Sequence, residues 1–362
     1  MRLFFIIFLA LMLSANVYVI WHIWRILPFA IWVKWLSTAF VIMSFACLFI
    51  SLSPILDKIP LDVATIIYEF GTGWLIALLY LLLTFLVLDI GRLIHIVPAP
   101  FLKDSVWGTV SVAIFIGGLL LYGNIHYNEK YRESITLKTT KPLSRPVKAV
   151  LLSDLHLGYH NRNSDLQHWV DIINKEKPDM VLIAGDIIDR SIRPLEVENM
   201  AETFKGINAP VIACLGNHEF FAGVPNSLKF YKDAGITLLR DSSIVLGSIQ
   251  IIGRDDRMNM RRHKTAQLVE NLDRDKYTIL LDHQPYNLEE TEQNGIDFQL
   301  SGHTHHGQIW PLSLITESVY ECASGSWKRG NTHYYISSGL GIWGGKFRIG
   351  TRSEYVVATI TN

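Results

Sequence analysis

The chain has 362 residues, of which 49% are hydrophobic and 18% are charged, with 33 basic and 33 acidic side chains. This balance excludes a generally basic nucleic-acid-binding protein, and an apolar composition with 11% aromatic residues excludes a disordered chain. Three scattered cysteines form neither a disulfide framework nor a thiolate metal cluster. Residues 1–128 hold only 11 of the 66 charges. The sequence therefore predicts an apolar region, residues 1–124, fused to a polar globular domain.

Four stretches of the apolar region are long enough to cross a bilayer as helices. Each has at least 19 uncharged residues in a row, with tryptophans near the ends, where aromatic rings favour the membrane interface. The predicted spans are residues 3–24, 33–53, 66–88 and 105–123. For the first span, a cleaved signal peptide is disfavoured because the apolar core is long and no small-residue cleavage pattern follows Ala15. A transporter is disfavoured because His22 and Asp89 lie at span ends rather than at mid-depth.

An even number of spans puts the N-terminus and the C-terminal domain on the same face of the membrane. The basic residues leave the choice of face open. When residues 130–141 are counted, six basic residues lie on the face of the domain and four on the opposite face. Without residues 130–141, the numbers are two and four. We therefore expect an integral multi-pass membrane protein in contact with lipids, with both ends on one face.

After a predicted linker at residues 125–146, the pattern of residues 147–362 changes to short apolar runs that alternate with helical periodicity. The predicted strands are residues 147–153, 180–184, 211–215, 277–281 and 298–300, and the predicted helices are 164–175, 194–205 and 226–234. Such alternation predicts an α/β domain, in which functional residues gather at the carboxyl ends of strands.

Every predicted strand ends in residues that commonly bind metal ions. Asp154 and His156 follow the first strand two positions apart, so on extended backbone they project the same way. The other strand ends read Gly185-Asp186-Ile187-Ile188-Asp189, Gly216-Asn217-His218-Glu219, Asp282-His283 and Gly302-His303-Thr304-His305-His306-Gly307. Singly, each has an ordinary explanation such as a helix cap or a turn. Together, oxygen and imidazole ligands without thiolate favour Mn, Fe or Zn, and their number favours two ions.

The order Asp-x-His, Gly-Asp-x-x-Asp, Gly-Asn-His-Glu, His and Gly-His-x-His resembles the calcineurin-like metallophosphoesterase superfamily. The glycine-rich segment at 337–345 also resembles its membrane-associated bacterial branch, which implies the cytoplasmic membrane of a bacterium. The resemblance covers about residues 147–362 and implies a four-layer αββα sandwich with two divalent metal ions.

The resemblance also implies a role for each motif residue. One ion would be held by Asp154, His156, Asp186 and His305, and the other by Asp186, Asn217, His283 and His303. Asp186 would then bridge both ions. The catalytic residue would be His218, facing the substrate phosphate, with Asp189 supporting the ligands by hydrogen bonding.

Several positions depart from the family pattern or leave alternatives open. Glu219 stands where many members have aspartate and His306 where close relatives have glycine, but neither is an implied ligand. His218 in place of arginine disfavours a lipid A precursor pyrophosphatase. For residues 339–345, a hairpin turn and a substrate-contacting loop both remain open. Residues 254–257, a run of four charges, are expected to form a solvated loop.

The leading hypothesis is a membrane-anchored hydrolase in which two metal ions activate hydroxide and His218 assists the leaving group. The bond would be a phosphomonoester, a phosphodiester or a pyrophosphate, and nearness to the bilayer favours a lipid-linked substrate. One alternative is a hydrolase of soluble nucleotides or phosphoproteins. The other is a non-enzymatic, metal-stabilised membrane sensor or scaffold, which predicts a damaged ligand set, whereas none of the expected ligands is missing.

Overall fold

The structure is a computed structural model that describes residues 2–362, with side chains from Ile6 onward. Internal contacts divide the chain into two compact units. The helical unit comprises the chain up to Ile125 together with Gly344–Phe347, and the sheet unit comprises His126–Trp343 and Arg348–Asn362.

Four long helices form most of the helical unit. They are α1 (Arg2–Ile26), α2 (Ile31–Ser51), α3 (Leu61–Leu93) and α4 (Val106–Asn128). All four are long and apolar enough to cross a membrane, as predicted. The helix predicted at 66–88 extends further at both ends, because Asp62 in its first turn and Arg92 in its last turn complement the helix dipole.

Polar contacts join elements within the helical unit. The hydroxyl of Tyr18 donates to Oδ2 of Asp89 at 2.6 Å, and Nε2 of His22 lies 3.0 Å from the same oxygen. His22, expected at an interface, is thus buried against α3. The carbonyl of Lys346 accepts a hydrogen bond from Nδ2 of Asn124 at 2.9 Å, which holds Gly344–Phe347 in this unit.

Two six-stranded sheets form the centre of the sheet unit among the described residues. The first has the order β1 (Lys130–Lys138), β12 (Ser353–Thr361), β2 (Val147–Leu152), β3 (Met180–Ala184), β4 (Val211–Cys214) and β5 (Thr237–Leu238). The second has the order β10 (Gly325–Arg329), β11 (Thr332–Ile336), β9 (Phe298–Ser301), β8 (Tyr277–Leu281), β7 (Ile249–Gly253) and β6 (Ser242–Leu246). Strands β2 to β5 run parallel, as do β7, β8, β9 and β11.

Short helices cover the outer face of each sheet. They are α5 (Asn163–Glu176), α6 (Arg193–Val197), α7 (Met200–Phe204), α8 (Asn217–Ala222), α9 (Val224–Asp233), α10 (Thr265–Leu268) and α11 (Leu288–Gln293), whereas α12 (Leu312–Val319) packs on the turn at His305–Gly307. Successive side chains of β2 alternate between two cores: Ala149 and Leu151 pack between the sheets, and Val150 packs against helices. In the second sheet, Leu280 packs outward with Leu268 of α10. This layering confirms the predicted four-layer αββα sandwich.

The segment at 125–146, predicted as a linker, contains strand β1. It pairs in parallel with β12, with Lys130 opposite Ser353. The strand was not apparent from the sequence because its side chains are exposed or half-buried, with only Leu137 buried, so no continuous apolar run marks it. Only Glu129 lies between the end of α4 and the start of β1.

The helix predicted at 194–205 is divided into α6 and α7. Asn199 between them has a left-handed φ of 53°, which asparagine tolerates better than most residues. The preceding Glu198 accepts hydrogen bonds from the Arg162 side chain and from the backbone N–H of Asn163. These contacts, made to residues far away in the chain, end α6 early.

Candidate metal centre

The backbone turns sharply where strands reach the candidate site. Left-handed φ angles occur at Asp154, His156, Asp186, His303 and His305, with values of 47° to 70°. Such angles are costly for residues other than glycine and persist where surrounding contacts enforce them, commonly at functional sites. Asp154 and His156 therefore converge through a turn after β2, and the expectation of an extended backbone there is wrong.

Asp154, His156 and His305 form the first group of candidate ligands. Nε2 of His156 lies 3.0 Å from Nε2 of His305. Oδ1 of Asp154 lies 3.7 Å from the first nitrogen and 3.4 Å from the second. Asp154 and His156 are fully buried. Two imidazole nitrogens and a carboxylate oxygen thus face one another within the reach of one cation.

Asp186, His283 and His303 form the second group. Nδ1 of His283 lies 2.7 Å from the carbonyl oxygen of Ala184, which can only accept, so Nδ1 carries the proton. The lone pair is then on Nε2, which lies 3.1 Å from Oδ2 of Asp186. The rings of His283 and His303 are 5.2 Å apart, centroid to centroid.

Asp186 lies between the two groups. Its Oδ2 atom is 3.1 Å from Nε2 of His283 and 3.7 Å from Nε2 of His156. Its Oδ1 atom accepts a hydrogen bond from the backbone N–H of His218 at 2.9 Å. A Cβ on Gly216 would lie 2.1 Å from that oxygen, so only glycine fits there.

Glu219, the departure from the family pattern, holds this part of the backbone in place. Its buried carboxylate accepts hydrogen bonds from the N–H groups of Gly216 at 2.7 Å, Ile188 at 3.0 Å and Asp186 at 3.2 Å. These contacts join the loop after β3 to the start of α8. Glutamate at this position therefore fixes the backbone of Asp186.

Three further predicted site residues are Asn217, His218 and Asp189, of which His218 and Asp189 lie beside His156 of the first group. Oδ1 of Asn217 is buried and has no hydrogen-bond partner within residues 2–362. Nδ1 of His218 is 2.8 Å from the carbonyl oxygen of Asp189. Oδ1 of Asp189 is 3.4 Å from Nδ1 of both His156 and His218. For His156 this is the nitrogen opposite Nε2, the one that faces His305.

The donor set fits divalent cations. Within the described part of the chain, Nε2 of His283 and Oδ1 of Asn217 are buried without hydrogen-bond partners, and such groups are uncommon unless a ligand satisfies them. Imidazole nitrogens and carboxylate oxygens without thiolate suit Mn, Fe or Zn. The Ala184 carbonyl accepts from Nδ1 of His283, and Oδ1 of Asp189 approaches Nδ1 of His156 to 3.4 Å, the positions that partners of metal-binding histidines occupy.

The charges around the site favour the ligand forms of several groups. Burial would raise the pKa of Asp154, but His305 and His156 hold it well below its usual range. Burial would also raise the pKa of Asp186, but the nearby His283 lowers it. Burial and the nearby His283 lower the pKa of His303 to about 4. At neutral pH both carboxylates are ionised and His303 is neutral, as metal ligands must be.

The glycine-rich loop that begins at Ser337 packs behind the ligands. A Cβ on Gly341 would lie 2.0 Å from the carbonyl oxygen of Leu155, and one on Gly339 would lie 3.0 Å from Cβ of Asp154. The N–H of Gly341 donates to the carbonyl of Asp154 at 3.0 Å. Residues 337–342 are buried, so this part of the loop is not a solvent-exposed hairpin.

Arg348 is a component of the site that no sequence motif indicated. Its side chain is 0% exposed. Nη1 donates to the carbonyl of His305 at 2.8 Å, and Nη2 donates to the carbonyls of Ser338 and Gly341. Burial lowers its pKa to about 10, so the guanidinium remains charged at neutral pH. Arg348 thus fastens the glycine-rich loop to the backbone of a candidate ligand.

Asn161 has a similar role on the other side of the first group. Its Nδ2 donates to the carbonyls of Leu155 at 3.0 Å and His156 at 3.2 Å. Its Oδ1 accepts from the hydroxyl of Tyr127 at 2.5 Å. All of these groups are buried. Asn161 therefore holds the turn that presents His156.

The expectation of a solvated loop at residues 254–257 is wrong for its first three members, which are buried. Arg254 donates to Asp282 at 3.2 Å, and Asp256 accepts from Nε2 of Gln284 at 2.9 Å. Asp282 and Gln284 flank His283 in the chain, so these pairs brace the backbone on both sides of it. Pairing and hydrogen bonding make the burial of these charges tolerable.

Comparison with known proteins identifies the family. A family model described as calcineurin-like phosphoesterase matches residues 147–307. A Campylobacter jejuni metallophosphoesterase is 31% identical over 68% of this chain and 68% of its own length. A Helicobacter pylori metallophosphoesterase is 34% identical over 59% of each chain, so this chain spans about three fifths of that relative. The chain belongs to the calcineurin-like phosphoesterase family.

A further relative bears on the helical unit. A Danio rerio protein named transmembrane protein with metallophosphoesterase domain is 30% identical over 58% of this chain and 52% of its own length. Together with four helices of membrane-crossing length, this similarity indicates a membrane protein.

Proposed function

We propose that this chain is a membrane-anchored phosphoesterase that uses two divalent metal ions to hydrolyse a phosphomonoester, a phosphodiester or a pyrophosphate. The observation that carries the proposal is the convergence of Asp154, His156 and His305 beside Asp186, His283 and His303, with Asp186 near both groups. A sensor or scaffold would not need a complete ligand set of this kind.

Each ion has a distinct set of ligands in this proposal. The first would be held by Asp154, His156, Asp186 and His305, and the second by Asp186, Asn217, His283 and His303. The second set includes the two buried atoms that lack hydrogen-bond partners among the described residues, Nε2 of His283 and Oδ1 of Asn217. When bound, the ions would supply Lewis acidity and lower the pKa of a bound water.

His218 is the proposed catalytic residue. Its Nδ1 faces the carbonyl oxygen of Asp189 and therefore carries a proton, which leaves Nε2 for the substrate. Burial opposes charging of the ring, but Asp186 and Asp189 raise its pKa. A protonated imidazole can donate to the leaving oxygen or stabilise charge that develops there. Asp189 fixes the tautomer and the ring orientation.

The proposed substrate is a phosphate ester carried by a membrane lipid. Only Glu129 separates the last apolar helix from strand β1, and such a short connection limits how far the active site can move from the bilayer. A site confined near lipid headgroups meets them at high effective concentration. Soluble nucleotides and phosphoproteins are the competing substrates.

Full-length protein in lipid nanodiscs tests this proposal. With Mn²⁺ added, it should hydrolyse a small aryl phosphate ester, and a phospholipid or isoprenoid phosphate in the same bilayer should be turned over faster than soluble nucleotides. Asp186→Asn should abolish hydrolysis, whereas Asp171→Asn, on the exposed surface of α5, should not. Hydrolysis that survives in Asp186→Asn would contradict the proposed mechanism. Faster turnover of nucleotides would contradict only the lipid substrate.

A further inference from the structure

The segment that follows His305 and His306 exposes an unusual number of large apolar side chains. Trp310 is 52% exposed, Ile315 58% and Val319 60%, and Leu312 and Leu314 are also exposed. Across the rest of the described sheet unit, the exposed large apolar residues are Val197, Phe221, Val245, Met258 and Met260. Half of the exposed large apolar residues in the described sheet unit therefore lie within ten consecutive positions, 310–319.

Helix α12 exposes its apolar residues rather than burying them. Leu312, Ile315 and Val319 are three and four residues apart, so they share one face of the helix, and that face is exposed. Ser313 is buried instead, and Thr316, which is half-buried, donates to the carbonyl of Ser313 at 2.9 Å. A helix on the surface of a water-soluble domain has the opposite arrangement.

We infer that α12, together with Trp310, docks into the lipid surface of the membrane that anchors this chain. Exposed apolar patches on a domain mark contact with a partner or a membrane. The same chain carries four helices long enough to cross a bilayer, and a single residue connects the last of them to β1. Tryptophan beside leucine and isoleucine is the composition of helices that lie in the interfacial layer of a bilayer.

The position of α12 next to the candidate metal centre gives this docking a consequence. His306, one residue after His305, pairs with Glu317 of α12 at 2.8 Å. Tyr320 follows α12 directly, and its ring lies 6.5 Å from that of His303. The C-terminal end of the helix thus contacts His303 and His306, which lie in the same segment as the candidate ligand His305. Docking of α12 brings the metal centre to the level of lipid headgroups.

Lipid quenching of a probe on α12 tests the inference without any substrate. In full-length protein, Cys47→Ser removes the one partly exposed native cysteine, since Cys214 and Cys322 are buried. A small fluorophore is attached through Ile315→Cys, or through Val245→Cys on β6 as the matched control. The protein is placed in phosphatidylcholine nanodiscs with or without bromine on the acyl chains. We expect quenching by brominated lipid to be several-fold greater at position 315 than at 245.

A second variant and a second quencher complete the experiment. A probe introduced through Val319→Cys should lose most of its lipid quenching when Leu314→Glu and Ile315→Glu are added, and become accessible to aqueous iodide. Equal iodide access at 315 and 245 in the parent background would overturn the inference. The inference would also be overturned if position 315 is shielded from both quenchers and spin labels attached there, in place of the fluorophore, show dipolar coupling. That result would show a second copy of the chain on this face.

Discussion

Nε2 of His156 lies 3.0 Å from Nε2 of His305, although 149 positions separate the two residues in the chain. Nδ1 of His156 faces Asp189, so the proton of a neutral ring is expected there and the lone pair on Nε2. Two nitrogens that approach through their lone pairs repel each other unless a proton or a cation lies between them. Although burial opposes it, hydrogen bonding to Asp154 and Asp189 raises the pKa of His156 to about 10, so a proton can occupy this position, and the first proposed metal ion would replace it.

Single substitutions should remove the two ions separately. His305→Ala changes only the first proposed ligand set and His303→Ala only the second, so each variant should retain about one ion per chain against two in the parent. Asp186→Asn, which affects both sets, should retain less than either. Elemental analysis of purified full-length protein measures this. Equal metal content in all three variants and the parent would contradict the two-ion assignment.

Replacement of His218 should affect turnover and not metal content. Groups that transfer protons or stabilise charge contribute about 10²- to 10⁴-fold in rate. His218→Ala should lower kcat by that order on esters with poor leaving groups and by less on aryl esters with good ones. His168→Ala, at an exposed position of α5, is the control. If His218→Ala loses a metal ion, His218 is a ligand instead.

Arg348→Met should destabilise the protein and weaken metal binding. It leaves the carbonyls of Ser338 and Gly341 without their donor and removes one of two donors to the carbonyl of His305, which also accepts from the N–H of Gln308. An unsatisfied buried acceptor costs about 1–3 kcal/mol. We expect a lower unfolding temperature and weaker Mn²⁺ affinity, with partial recovery in Arg348→Lys, which keeps the charge but not the planar fork. Unchanged Mn²⁺ affinity in Arg348→Met would mean that the hydrogen bonds of Arg348 do not position His305.

The candidate ligands were predictable because each follows a strand that leaves a clear pattern. Strands β2, β3, β4, β8 and β9 lie inside their sheets and are buried on both faces, so they read as continuous apolar runs. Strand β1 is at an edge, its side chains are exposed or half-buried except for Leu137, and its residues resemble a linker.

The residues that support the ligands were not predictable in the same way. Arg348 and Asn161 bind backbone carbonyls, and a single arginine or asparagine bound to carbonyls has no spacing that a sequence shows. The prediction of a solvated loop fails for Arg254 and Asp256 because runs of charge are usually solvated and these two are buried. Their partners Asp282 and Gln284 are 28 positions away, and only the folded chain brings them together.

Glu176 should make stability depend on pH. A hydrogen bond from Arg132 of β1 outweighs the effect of burial, and with Lys148 of β2 it lowers the pKa of Glu176 from 4.5 to about 2. Because the pKa is lower in the folded state, the stabilisation is fully present above about pH 4.5 and is lost as the pH falls towards 2. Glu176→Gln should therefore lower the unfolding temperature at neutral pH, by an amount that shrinks below pH 4.5. Glu202→Gln, at an exposed pair with Lys205, is the control. A pH-independent difference would contradict this account.

The last residues of α4 should be needed for metal binding by the isolated sheet unit. The buried hydroxyl of Tyr127 donates to Asn161, which holds the carbonyls of Leu155 and His156. A truncated protein that begins at His126 keeps this contact, whereas one that begins at Lys130 keeps every proposed ligand but loses it. We expect the longer protein to fold without detergent and to bind Mn²⁺ more tightly, as measured by calorimetry. In the full-length chain, Tyr127→Phe removes only the hydroxyl and should reproduce the weaker binding, because Oδ1 of Asn161 then lacks its donor. Equal Mn²⁺ affinity in both truncated proteins would show that the turn of His156 is held without Tyr127.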